Sequence, residues 1–179
     1  MREIVGGRHV LARDVELLAY ESDGLPGYRR RPSLAVFPGT RDETVAIVRL
    51  LAETGTAFVP RGAGTGLSGG ALADDAVLLG LHRLKAILDM DVARLRATVE
   101  PGVVNAALNK RLVPHGVFYA PDPSSEAACT IGGNVAENSG GPHCLKYGVT
   151  LNHVLAATIV LPDGEIVELG DRDGEMSGY

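Results

Sequence analysis

Apolar positions along this chain switch between helical and strand spacing, and the switches outline an order of elements. Val10, Leu11, Val15, Leu17 and Leu18 predict a helix over residues 9–20. Ser22 to Pro38 is rich in Gly, Pro and Arg and reads as an extended connection, with a short strand at Ala35-Val36-Phe37 that Pro38-Gly39 ends. Thr40 with Glu43 three residues on forms a capping box, and Val45, Ile47, Val48, Leu50 and Leu51 give the following helix a broad apolar face up to Gly55. Ala57-Phe58-Val59 is a buried strand. Strand, capped helix, strand is a βαβ unit, which normally makes parallel pairing.

Beyond it the pattern predicts a strand over 76–81, a turn at Asp89-Met90-Asp91, and an alternating strand from Leu95 to Val99 stopped by Pro101-Gly102. Val103 to Val113 reads as a second helix ending near Gly116. Residues 121–148 are dense in Gly, Pro, Ser and Asn, and a loop-rich stretch of that length is usually functional. His153 to Leu161, the turn Pro162-Asp163-Gly164 and Glu165 to Leu169 make a hairpin, and the tail from Gly170 is polar. The plan is α+β: a small parallel βαβ lobe over about 1–90, then a larger, mainly antiparallel α/β lobe over about 91–179. Ending just after a hairpin predicts an incomplete, C-terminally truncated domain.

Composition changes little in this picture and removes some function classes. The 179 residues are 45% hydrophobic and 22% charged, without tryptophan, so the core is aliphatic. A net charge of −5 argues against nucleic acid as a partner. The run Arg29-Arg30-Arg31 reads as a solvated turn. Cys129 and Cys144 form neither a disulfide framework nor a metal spacing, which points to reduced, cytoplasmic thiols. His9, His82, His115 and His153 do not make a metal site by spacing. There is no signal-peptide pattern and no stretch of the ~20 apolar residues a bilayer span needs, so membrane association would be indirect.

The chemistry concentrates in Pro60-Arg61-Gly62-Ala63-Gly64-Thr65-Gly66-Leu67-Ser68-Gly69-Gly70. Glycine reaches positive φ and leaves room for a ligand, so successive amides can line one anion-holding concavity, with Thr65 and Ser68 adding hydroxyls. A Cβ at Gly64 is expected to enter the pyrophosphate space. Gly64-x-Gly66-x-x-Gly69 matches a dinucleotide fingerprint literally, yet the helix that the fingerprint requires does not follow. No Gly-Lys-Ser/Thr follows either, which excludes a Walker loop. The loop therefore binds phosphate by its own backbone, in a non-Rossmann setting. A second glycine-rich region carries Pro121-Asp122-Pro123-Ser124-Ser125, Thr130-Ile131-Gly132-Gly133-Asn134, Glu137-Asn138-Ser139-Gly140-Gly141 and Lys146-Tyr147-Gly148-Val149. A helical turn fits between Asn134 and Asn138. The glycines there would let backbone approach a flat ring such as a flavin.

Three blocks, Pro60–Gly70, Pro121–Ser125 and Asn134–Val149, resemble the FAD-binding domain of the vanillyl-alcohol oxidase, or p-cresol methylhydroxylase (PCMH), type. Within it they are most similar to the FAD-linked subunit of bacterial glycolate oxidase and to D-lactate dehydrogenases, from about residue 5 to the end. The resemblance implies that Pro60, Arg61, Gly62, Ala63, Gly64, Thr65 and Gly66 hold the FAD pyrophosphate, with Leu67 and Ser68 alongside. Pro121, Ser125, Thr130, Gly133 and Asn134 would line the flavin and ribityl region, and Ser139, Gly140, Tyr147, Gly148 and Val149 would complete the wall. No histidine occupies the glycine loop, so attachment would be non-covalent; His143 and Cys144 are given no covalent or catalytic role.

The implied reaction is oxidation of a small 2-hydroxy acid, glycolate or D-lactate, by hydride transfer to flavin N5, with electrons leaving to a partner subunit. The substrate domain, the catalytic residues and any metal site would lie outside residues 1–179. The alternatives are a non-catalytic or truncated FAD-binding module, or a relative with another substrate, such as an alkyl-glycerone-phosphate synthase or a cell-wall precursor reductase.

Overall fold

The computed structural model describes residues 1–25 and 27–171. The polar tail expected after Gly170 lies, from residue 172, outside them. The N-terminal part is built on strands β1 (Val10–Leu11), β2 (Leu34–Val36), β3 (Phe58–Arg61) and β4 (Val77–Gly80). Their order across the sheet is β1-β2-β4-β3, with β1 antiparallel and the rest parallel. Preceding helices are α1 (Arg2–Val5) and α2 (Asp14–Leu17).

The βαβ unit is parallel as expected, but β2 and β3 are not neighbours, because β4 lies between them. Burial explains the insertion. All four β4 residues are buried, and a central strand is the place where both faces are covered. Helix α3 (Arg41–Glu53) sets Ile47, Val48 and Leu51 against Val36, Val77 and Leu79 on one face. Ala35 and Leu78 point to the other, against Leu17, Phe37, Ala73 and Ala76. The Thr40 cap is present, with its hydroxyl accepting from the Glu43 amide at 3.1 Å. The Glu43 carboxylate reaches one residue further back than a standard box, to the Gly39 amide at 2.6 Å.

The rest of the chain is antiparallel where it is sheet. β5 (Ile87–Asp91) pairs with β6 (Arg96–Val99), and β7 (Ala156–Val160) pairs with β8 (Ile166–Gly170). Between the hairpins lie α4 (Asn105–Leu112), α5 (Ile131–Glu137) and α6 (Cys144–Tyr147). The fold is α+β, a parallel sheet with its helix followed by antiparallel hairpins. Among the described residues no helix is long and apolar enough to cross a membrane.

Four expectations are corrected. The helix expected over 9–20 is only a turn of helix and a 3-10 turn after Asp14, because Val10 and Leu11 pair with Val36 and Ala35 instead. Asp89-Met90-Asp91 is strand, and the turn follows it. There the Asp91 carboxylate accepts from the Arg94 amide at 3.0 Å and Leu95 takes a φ of 56°. The loop-rich stretch holds two real helices, α5 and α6. The strand expected from His153 starts at Ala156, since residues 150–153 form a 3-10 turn.

Candidate functional site

The glycine loop leaves the end of β3, and its amides decide what it can do. Among the described residues, no backbone amide from Gly62 to Ser68 donates to a protein acceptor. Such a run of unspent donors on small residues is the requirement for an anion cradle. No helix follows; residues 71–76 lead directly into β4. The first amides of α5 are, by contrast, all committed. Ile131 donates to Val103 O, Gly132 to Pro101 O, Gly133 to Thr130 Oγ1 and Asn134 to Thr130 O. Anion-holding capacity therefore resides in the loop.

Arg61 underlies this cradle without pointing into it. Its side chain is buried, and its guanidinium donates to the carbonyls of Ser22 at 2.8 Å, Ala71 at 3.2 Å and Tyr20 at 3.4 Å. Burial pushes the guanidinium below its ordinary pKa, with the Asp23 carboxylate acting in the opposite sense. The structure thus gives Arg61 a bracing position, in which its charge is spent on the chain's own carbonyls. Gly64 has a φ of 70°, and a Cβ there would overlap the Arg61 guanidinium. The expectation that this Cβ would enter ligand space is corrected: the Cα–H points inward, onto the brace.

Sequence reasoning passed over the strap on the loop's outer side. Ser22 accepts from Arg61. The Asp23 carboxylate accepts from the amides of Gly69 at 3.0 Å and Leu25 at 2.8 Å. Gly24 donates to Gly66 O at 2.9 Å. A Cβ on Gly24 would stand 2.5 Å from Thr65 O, so glycine is required for the close approach. The Asp-Gly pair in the extended connection was the available signal, since aspartate bonding two residues ahead is a standard turn device.

The two glycine-rich regions meet. A Cβ on Gly62 would overlap Thr130 Oγ1, the cap of α5. At the other end of the helix, Glu137 lies beside Gly66 and Gly70. Helix α5 therefore runs along the loop. Gly132 serves packing between parts of the protein: a Cβ there would stand 2.5 Å from Pro101 Cβ. For Gly132 this packing is by itself a reason for glycine.

The remaining predicted residues lie in the second glycine-rich region and are held by its own contacts. Pro121 is fully buried and accepts from Asn105 Nδ2 at 3.0 Å. Ser125 O accepts from the amides of Ala128 and Cys129. Ser139 O receives both the amide and the hydroxyl of Thr150, at 3.0 and 2.7 Å. His143 and Asp122 bond through ring nitrogen and carboxylate, which holds the Asp122 carboxyl below its ordinary value. Cys144 Sγ accepts from the Gly141 amide at 2.8 Å. Tyr147 stacks edge-on to Phe118 with the Lys146 ammonium 4.8 Å from its ring centre; Gly148 and Val149 follow it. Asn134 Nδ2 and Asn105 Oδ1 are buried without a partner among the described residues. Unspent amides along a small-residue loop, beside a wall with aromatic and amide groups, fit a dinucleotide with a diphosphate. Among the described residues no group of three or more His, Cys, Asp or Glu side chains could hold a metal ion.

Comparison with known proteins agrees with this geometry. Over its whole length the chain is 47% identical to the glycolate oxidase subunit GlcD of Escherichia coli K12, covering 36% of that protein. It is 39% identical to the D-lactate dehydrogenase of Anaerostipes hadrus, with 84% of this chain and 32% of that protein aligned. The chain thus spans about a third of the length of the curated relatives it matches. Its fold superposes on p-cresol methylhydroxylase with a TM-score of 0.80 at 20% identity, covering 93% of this chain and 33% of that one. Residues 32–170 match the family described as FAD binding domain, and with FAD as its cofactor the chain belongs to that family, in the PCMH-type fold.

Proposed function

We propose that this chain is the FAD-binding portion of a flavin-dependent oxidoreductase that converts a small 2-hydroxy acid, of the glycolate or D-lactate kind, to the 2-oxo acid. The observation that carries the reading is the run of uncommitted amides from Gly62 to Ser68 with α5 lying along it. The names of the two most informative relatives supply the substrate class. Pro60 to Gly66 hold the diphosphate, with Leu67 and Ser68 alongside. The set Pro121, Ser125, Thr130, Gly133, Asn134, Ser139, Gly140, Tyr147, Gly148 and Val149 lines the remainder, with Arg61, Thr130 and Pro121 acting through the backbone they fix. Bound FAD supplies the two-electron acceptor for the substrate carbon. The protein's task here is to bind it, orient it and keep one face open to substrate.

Retention is non-covalent, since His143 and Cys144 are both engaged within the protein. The first lobe ends near residue 90, with the paired β5 and β6 kept together in the second. The substrate site and the base for the hydroxyl proton belong to a separate domain, and electrons pass to a partner subunit, as the word subunit in the relative's name supports. Two free cysteines fit a cytoplasmic setting.

The test is the visible spectrum of the purified full-length gene product with glycolate and D-lactate under anaerobic conditions. A flavin band that bleaches with either acid is the expected result. A flavin band unmoved by any 2-hydroxy acid would overturn the substrate class and favour a binding module. Flavin that stays with the acid-precipitated protein would overturn the non-covalent reading.

A further inference from the structure

Glu137 is placed where simple electrostatics would not put a carboxylate. It is the last residue of α5, at the helix end that favours cations, and no basic residue lies in that last turn. It is exposed and makes no hydrogen bond or ion pair among the described residues. Its carboxylate lies over the second half of the glycine loop: Oε1 is 3.0 Å from the position of a Cβ on Gly70, and Cδ is 3.7 Å from that on Gly66. The first half of the loop faces something different, the neutral Thr130 cap and the Cα of Gly133. Arg61 makes no ion pair with Glu137: its guanidinium is turned onto three carbonyls and lies against Gly64. The loop therefore differs along its length: its amides are free from Gly62 to Ser68, the Gly69 amide is taken by Asp23, and the carboxylates of Asp23 and Glu137 both lie at the Gly66–Gly70 end. A carboxylate repels phosphate and accepts hydrogen bonds from sugar hydroxyls.

We propose that Glu137 is a specificity-determining residue: it confines phosphate to the Gly62–Thr65 end of the loop and receives a sugar hydroxyl of the cofactor at the Gly66–Gly70 end. This rests on the FAD-site reading above. It also predicts which flavin is taken. A flavin mononucleotide ends in a monoester carrying about −1.5 to −2 on a single phosphate. FAD divides its charge between two phosphates and carries a ribose beyond them.

The experiment is titration of the apo full-length protein with FAD, FMN and ADP, read by flavin fluorescence and calorimetry, for wild type, Glu137→Gln and Glu137→Ala. Glu126→Gln, an exposed carboxylate away from the loop, is the control. Removing the charge is expected to narrow the preference for FAD over FMN by about tenfold or more, and high salt is expected to narrow it in wild type only. The hydroxyl has two sources. Weaker ADP binding in both Glu137 variants assigns the adenosine ribose; unchanged ADP binding with weaker FAD binding assigns the ribityl chain. An FAD-to-FMN preference within twofold of wild type in both variants, each still binding flavin, overturns the role of Glu137 and leaves the FAD site standing. Failure of wild type to bind either flavin overturns the site itself, and this proposal with it.

Discussion

At the scale of single residues, the cradle depends on groups that never reach a ligand. Gly64 is the clearest. Its φ of 70° is one that β-branched residues hardly adopt, at a cost of about 1–3 kcal/mol, and a Cβ would collide with Arg61. Gly64→Val is expected to lower both the thermal midpoint and the flavin content of the purified protein. An unaltered melting curve with lost flavin would show that the side chain acts on ligand space and not on the brace. Asp23 is the second. Its loss strands the amides of Leu25 and Gly69, and bonds to a charged acceptor are worth about 1.5–3 kcal/mol. Asp23→Ala should weaken FAD binding about tenfold or more, with Asp23→Asn recovering part of it. Equal affinities in wild type and Asp23→Ala would remove the strap from the site.

At the scale of elements, α5 and the segment after it have different fastenings. The amides of α5 are bound to Val103, Pro101 and its own cap, so it is part of the scaffold. The Gly140–Tyr147 segment is held to the Pro121–Pro123 segment by Asp122, which takes the His143 ring and accepts weakly from its amide at 3.4 Å. The His143 bond keeps the Asp122 carboxyl below the ordinary value of 3.8. A depressed folded value means stabilisation that is present above the unfolded value and lost as pH falls through the folded one. Wild type is therefore expected to exceed Asp122→Asn in thermal midpoint at pH 6, with the gap closing below about 3.8. A gap independent of pH from 6 to 3 would show that the carboxylate charge has no part in this tether.

At the scale of the whole molecule, the site sits where the parallel sheet ends and the second glycine-rich region folds back over it. Strand β4 anchors that arrangement by lying between β2 and β3, and Leu78 is fully buried on the face shared with Ala73 and Phe37. Leu78→Ala should cost about 2–5 kcal/mol in chemical denaturation. A loss below 1 kcal/mol would mean that this face relaxes into the space, contrary to a well-packed centre. The loop leaves β3, the direct neighbour of β4, so loss of FAD binding should follow unfolding of this sheet in hydrogen exchange.

The α+β class, the capped α3, the parallel sense of the first unit and the two glycine-rich regions, which the fold brings into contact, were legible in the sequence. Each of these is written in local spacing: 3.6-residue periodicity, a Thr with a Glu three on, glycine clusters after a strand. Tertiary structure decided the rest. Strand order depended on which segment could bury both faces, and Val10-Leu11 became strand because β2 offered an edge. Arg61 turned from expected ligand contact to brace because three carbonyls, 10 to 41 residues away in the chain, converge on it. Asp23 and Gly24 came to the loop for the same reason, since Gly69 and Gly66 are distant in sequence, and only folding sets Glu137 beside Gly66 and Gly70.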